Sequence, residues 1–153
     1  MPPRRPKDRG TDAERAVVRY LQANGFPNAE RRASNGNADR GDITGCPGIC
    51  WEVKYRDKMP GDGQLNMWLV ETDRERDNAG ADIGVLVVRR PHAGVASWWA
   101  VARIGDITAL RDPSTPPEVR VRLPVRLLLS DLVTTLRLAG YGEPLPEVTR
   151  GDV

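Results

Sequence analysis

Cysteine and histidine are almost missing from this chain of 153 residues, which holds two cysteines, Cys46 and Cys50, and one histidine, His92. Two cysteines cannot build the four-Cys zinc sites that short spacings suggest, and a Ser-His-Asp or Cys-His enzyme would have to run through His92 alone. His92 stands in Pro91-His92-Ala93-Gly94, which reads as a turn between two strands, so a solvated turn residue is expected there. What remains is the chemistry of carboxylates, lysine and oxygen-ligated metal. Long apolar runs are missing too: no stretch approaches the ~18 residues of a spanning helix. The first ten residues, MPPRRPKDRG, lack the apolar segment of a secretion signal. The expectation is a soluble, cytoplasmic protein with no membrane partner.

Charge of one sign is also scarce in total, since the net formal charge is only +2, but its distribution is uneven. Residues 1–60 carry 12 Lys/Arg against 8 Asp/Glu, whereas residues 61–153 carry 11 against 13. The cations begin with Arg4, Arg5, Lys7 and Arg9 in a proline-broken arm and continue through Arg31, Arg32, Arg40, Arg56 and Lys58. An arm of this kind is suited to a polyanion and stays flexible without one. The length fits one domain, with 39% apolar residues to form its core. Residues 1–10 read as the basic arm, 11–104 as the core and 105–153 as an extension of the same domain.

Thr11-Asp12-Ala13-Glu14 has the form of a capping box and predicts a helix from Thr11 to about Asn24, with Ala13, Ala16, Val17, Tyr20 and Leu21 on its apolar side. Three short strands follow, at Ala29–Ala33, Gly41–Thr44 and Ile49–Tyr55. The polar loop Ser34–Asp39 separates the first two, and the turn Gly45–Gly48 separates the others. Gln64–Asn78 predicts a second helix with Leu65, Trp68, Leu69 and Thr72 facing inward. Ala81–Arg89 is a nearly continuous apolar run, expected at the centre of the sheet, and Trp98–Ile104 is its expected hairpin partner. Val119, Val121 and Leu123 alternate with Arg120 and Arg122, which predicts an edge strand with arginines on its open face, and Arg126–Ala139 predicts a last helix. The order is α, β, β, β, α, β, β, then a C-terminal strand and helix: an α/β fold with a mixed central sheet flanked by helices.

On an extended strand Glu52 and Lys54 point one way while Trp51, Val53 and Tyr55 point the other. A turn near Gly45–Gly48 brings Asp42 of the preceding strand beside Glu52. Two carboxylates with an adjacent lysine form a hard-oxygen site suited to Mg²⁺ or Mn²⁺. Taken singly, Asp42 also fits a strand-end aspartate, and Glu52 with Lys54 an ion pair on a sheet face.

Gly41-Asp42, nine residues, then Glu52-Val53-Lys54, in this order of elements, resembles the PD-(D/E)xK nuclease superfamily over roughly Thr11 to Ile104, with Gly41 where the family usually has proline. The resemblance implies a restriction-endonuclease-like αβββαβ core and metal-assisted hydrolysis of DNA phosphodiesters. Asp42, Glu52 and the main-chain carbonyl of Val53 would hold Mg²⁺, for which Mn²⁺ substitutes, and Lys54 would position water or neutralise charge. It also implies roles for Glu14, which falls in the apolar sector of its helix, and for Gln64, expected to face inward one turn before Trp68. Glu14 equally fits the capping partner of Thr11, and Gln64 a residue serving its own helix end. Small members with a glutamate on the first helix include Holliday junction resolvases, which implies a homodimer acting on branched DNA in recombination and repair, with the segment Val119–Tyr141 as a candidate dimer surface. The DNA contacts would come from Arg4, Arg5, Lys7, Arg9, Arg31, Arg32, Arg40, Arg56 and Lys58. A restriction-type, repair-type or RecB-like nuclease shares the same site, and a non-catalytic DNA-binding module is the alternative of another class.

Overall fold

The computed structural model describes residues 2–33, 38–109, 114–116 and 120–147. Residues 34–37 of the Ser34–Asp39 loop, and Val119, lie outside them. The chain forms a mixed α/β fold: α1 (Pro6–Ala23), β1 (Glu30–Arg31), β2 (Ile43–Thr44), β3 (Ile49–Lys54), α2 (Asp62–Ala79), β4 (Ile83–Val88), a single 3₁₀ turn (Val95–Ser97), β5 (Trp99–Arg103), α3 (Ile104–Ala109), β6 (Pro124–Leu128) and α4 (Leu129–Leu138). The six strands make one sheet in sequence order, antiparallel throughout except for the parallel β3–β4 pair that α2 crosses over. Every residue of β4 is buried, as its continuous apolar run requires at the centre of the sheet. No helix among the described residues is long and apolar enough to cross a membrane.

The two faces of the sheet bury different cores. Ile49, Trp51, Val53, Ile83, Val85, Val87 and Ala100 pack against Ala13, Val17 and Leu21 of α1 and Leu129, Leu132, Val133 and Leu136 of α4. The other face places Leu86, Val88 and Val101 under Leu65, Trp68 and Leu69 of α2. Because β-strand side chains alternate, the tryptophan and valine of β3 belong to the α1 core, and Glu52 and Lys54 face α2. The helical stripe expected on α2 is buried as drawn, and it continues one turn further through Asp73, Glu75 and Arg76.

β1 and β2 are shorter than the expected Ala29–Ala33 and Gly41–Thr44, α2 opens two residues before Gln64, and three boundaries differ more deeply from the sequence reading. First, α1 starts at Pro6 and not at Thr11, with Arg5 as its extended N-cap residue. A proline whose φ is preset for the first helical turn outweighs the Thr11–Glu14 box, and Pro6–Gly10 of the basic arm are helical. Second, Ile104 leaves β5 and opens α3. Third, the edge strand is Pro124–Leu128, and the last helix begins only at Leu129. The carbonyls of Val121 and Leu123 accept the amides of Gly105 and Ile104 at the start of α3, so residues 121–123 run beside that turn and the ladder begins after them. Proline opens the new strand, where its missing N–H is tolerated. Arg120 and Arg122 do not line an open face: they pair with Asp106 at 3.3 Å and Asp73 at 2.6 Å. His92 is an exposed turn residue, with φ at +62°.

Candidate active site

β2 reaches β3 only as far as the Ile43–Trp51 pair, so the edge of β3 is open from Glu52 onward. Asp42 occupies that opening. Its amide donates to the Trp51 carbonyl at 2.8 Å, and its Oδ2 accepts the Val53 amide at 2.8 Å, in the place a strand neighbour would fill. Gly41 makes this approach possible. Its φ is +90°, and a Cβ there would sit 2.7 Å from the Trp51 carbonyl oxygen and 2.8 Å from Cys50 Sγ. A proline, held near −65°, could not adopt this conformation, which accounts for glycine before the aspartate.

The antiparallel register sets Asp42 opposite Glu52, and Glu75 of α2 lies near enough to Glu52 to raise its pKa. Lys54 Nζ lies 2.8 Å from Glu52 Oε1 and 3.4 Å from Glu71 Oε1. Glu52 is 5% exposed and Glu75 2%. Among the described residues no donor reaches Glu52 Oε2 or either oxygen of Glu75. Ionised carboxylates accept but do not donate, so this line of acids must hold protons or a cation. Burial, followed by the charge of Glu52, raises Asp42 to about 8. Burial and the neighbouring Glu75 raise Glu52 to about 8, and burial with Asp39, Glu71 and Asp42 nearby raises Glu75 to about 7. Burial alone would lower Lys54, but Glu52 and Glu71 raise it above its ordinary value, so it stays cationic. Both cysteines are free and buried, and burial pushes Cys46 up to about 11 and Cys50 to about 12, which leaves them inert.

Asp42, Glu52 and Lys54 therefore come together, and Glu14 lies close enough for its charge to raise Asp42 further. Glu14 does not cap α1, whose first turn lies two turns upstream. Its Oε2 accepts Arg31 Nε at 2.7 Å, an ion pair joining α1 to β1 at the rim of the site. Glu14→Gln should therefore leave the helix intact, with a melting curve close to that of the wild type as the check.

Gln64 does not face inward. It is exposed on the first turn of α2. Its neighbours Asp62, Leu65 and Asn66 there line a cleft with Val101, Pro124 and Arg126 of β5 and β6. The helix crosses the sheet obliquely from that edge, so the residues brought over β3 are Glu71 and Glu75. Their i,i+4 spacing on one side of α2, with Glu75 on the continued inward stripe and Glu71 at its margin, was the available signal.

The cations are disposed differently from expectation. Arg4 pairs with Asp12, Arg9 with Asp57 at 2.8 Å, and Arg31 with Glu14, so these three already have anionic partners. Arg5, Lys7, Arg40 and Lys58 are exposed, and Arg32 is half-buried with no partner for Nε among the described residues. A second group comes from just past the ends of β3 and β4 and from the middle of β6. The guanidinium of Arg56 lies 4.9 Å from the Trp68 ring centre, and those of Arg90 and Arg126 lie 4.4 and 5.3 Å from that of Trp99. None of the three pairs with a carboxylate among the described residues. Lys54 stands opposite Val88, and Val88 opposite Trp99. The arginine group thus continues the row of Lys54 along the sheet, two strand spacings or ~10 Å away. A cleft of about 400 Å³ runs along the other side of the β3 end, between Pro6, Arg9 and Gly10 of α1 and Tyr55 and Arg56. No family model matches this chain, and no curated protein or solved structure compared with it matches either.

Proposed function

We propose that this chain is a metal-dependent deoxyribonuclease with a restriction-endonuclease-like core, and that its substrate is branched DNA, as for a Holliday junction resolvase. The observation that carries the reading is the convergence of Asp42, Glu52 and Lys54 at the open edge of β3, with a buried Glu52 oxygen that no donor among the described residues reaches. That donor set is all oxygen and anionic, which suits Mg²⁺ or Mn²⁺ and not a soft metal. Asp42, Glu52 and the Val53 carbonyl would hold the ion, with Glu14 behind them. Bound there, it would polarise a phosphodiester and acidify water.

The chain's own groups do the rest. The Val53 amide fixes the Asp42 carboxylate in place. Lys54 is held between two carboxylates at the mouth of the site, where its ammonium can meet the charge that develops on a phosphate. Arg56, Arg90 and Arg126 carry the backbone of the DNA away from that point: each guanidinium stands over a tryptophan ring, Arg56 and Arg90 give one N–H each to the carbonyls of Tyr55 and Ser97, and the remaining N–H groups can meet phosphate oxygens. Two symmetric nicks in a four-way junction need two such sites, so the working form is a homodimer. Exposed Val121, Leu123 and Leu138 supply apolar surface for it within the C-terminal segment.

Cleavage of labelled four-way junctions, flaps, linear duplex and single strands, each with Mg²⁺, Mn²⁺ or EDTA, tests the reading. Paired nicks at the junction, abolished by EDTA, are the expected result. Preference for linear duplex or single strands would point to a restriction-type, repair-type or RecB-like enzyme, and binding with no cutting to a DNA-binding module. For Arg90→Ala with Arg126→Ala, binding should weaken on every substrate. The slope of log affinity against log salt should also drop by about one for each phosphate that is no longer neutralised. Titrations of a fluorescent junction at several salt concentrations measure that slope, and an unchanged slope would remove these arginines from the interface.

A further inference from the structure

We propose that Asp39, Glu71 and Glu75 form a second divalent-cation site, separate from the one assigned to Asp42 and Glu52. One carboxylate oxygen from each of the three residues lies within 4.8 Å of the others. A cation with metal–oxygen bonds of ~2.0–2.6 Å bridges donors at such separations. The cluster alone would mean little, because solvated acids often gather. Glu75 is different: it is 2% exposed, both its oxygens lack a donor among the described residues, and it points into the group from the continued inward stripe of α2. A buried carboxylate without a hydrogen bond is costly unless a positive charge meets it.

The other two ligands are placed to complete the shell from the solvent side. Asp39 is anchored on both flanks: its Oδ1 accepts the Gly41 amide at 3.0 Å, and its carbonyl accepts Asn78 Nδ2 at 2.7 Å, which ties the loop to the end of α2. Glu71 is oriented by Lys54 at 3.4 Å. Asp39 is exposed and Glu71 half-exposed, so a hydrated ion can enter and keep several of its waters, as Mg²⁺ and Mn²⁺ prefer. Lys54 links the two sites, 2.8 Å from Glu52 and 3.4 Å from Glu71. An ion on Asp39, Glu71 and Glu75 would add positive charge beside that lysine and the first site, so this inference deepens the nuclease reading and rests on it for the ion's role, though not for its site.

Mn²⁺ titration of the full chain, with free Mn²⁺ counted by electron paramagnetic resonance, tests the proposal without relying on cleavage. Two ions per chain are expected for the wild type. Asp39→Asn combined with Glu71→Gln, both toward solvent and so compatible with folding, should bind one, and Glu75→Gln should match it. Circular dichroism confirms that each variant is folded. The same stoichiometry in the wild type and both of these folded variants would overturn the second site; if that ion were then lost in Asp42→Asn, the nuclease reading would survive. The reverse pattern, loss at Asp39 and Glu71 with nothing lost in Asp42→Asn, would keep the second site and remove the metal centre of the proposed function. No bound ion in any of them would overturn both.

Discussion

Asp42→Asn should abolish metal-dependent cutting and, at the same time, raise the melting temperature of the metal-free protein. The first effect follows from charge. Asparagine keeps an oxygen for the Val53 amide, so the local backbone is preserved, but a neutral amide is a poor ligand for a hard cation. Loss of several kcal/mol of Lewis-acid stabilisation corresponds to at least about a thousandfold in rate. The second effect follows from burial. Asp42 lies beside Glu52 with the charge of Glu14 near, and burial and these neighbours push it up to about 8, so ionising it as the pH approaches that value is costly. The amide stays neutral at every pH, so the gain is largest near and above about 8, and its NH₂ can donate to Glu52 Oε2, for which the described residues offer no donor. A carboxylate present for structure would show the opposite sign, because its loss would weaken the fold. Glu52→Gln should behave alike in cutting, while Lys54 keeps Glu71 as a partner. Binding of a junction should persist in both variants, since less negative charge faces the phosphates. Cleavage assays, binding titrations and melting curves in EDTA together decide the matter: robust cutting by Asp42→Asn, or lost cutting in a less stable protein, would remove Asp42 from the metal centre.

How much of this site could be read from residues alone depended on whether the information was local. Alternation along Ile49–Lys54 was enough to put Glu52 and Lys54 on one face, and the tight turn at Gly45–Gly48 was enough to set the register that brings Asp42 beside them. The central position of β4 followed from its apolar run for the same reason. Gln64 failed because a wheel gives the direction of a side chain from its helix axis and says nothing of which strand lies beneath. Only the oblique course of α2 over the sheet separates Gln64 from β3 and brings Glu71 and Glu75 onto it. The stacked arginines were missed on similar grounds: Arg56 meets Trp68, and Arg126 meets Trp99, through tertiary packing with no short-range signal. Near the C-terminus local signals conflicted. Alternating Arg120 and Arg122 imitated a strand, and Leu127 and Leu128 a helix, yet pairing with Asp73 and Asp106 and the ladder to β5 decided otherwise.

Without metal, stability should fall as pH rises from about 5 to about 8, and added Mg²⁺ or Mn²⁺ should restore it most at the alkaline end. Asp42, Glu52 and Glu75 keep their protons to about 8, about 8 and about 7 in the folded chain, whereas unfolded carboxyls lose them near 4. Between these limits the folded state holds protons that the unfolded state lacks, so raising the pH favours unfolding. Below about 4 both states are protonated and this contribution is fully present; above about 8 neither is, and it has been lost. Because the three acids raise one another's pKa, they titrate as a unit, and a single excess proton is a safe count. One proton over about three pH units amounts to ~4 kcal/mol, or a drop of about 10 °C in melting temperature for a chain of this size. Lys54 does not mask the trend. Its raised value contributes stability that is present below about 10 and lost only above that, outside the window. A bound cation reverses the slope, since its ligands must be ionised and its binding releases their protons, so the stabilisation it brings grows with pH. Melting curves at intervals from about pH 5 to about pH 9, in EDTA and in millimolar Mg²⁺, measure both trends. A flat curve in EDTA would mean that the carboxyl groups are solvated and ionised throughout, and equal curves with and without metal would mean that no cation uses them.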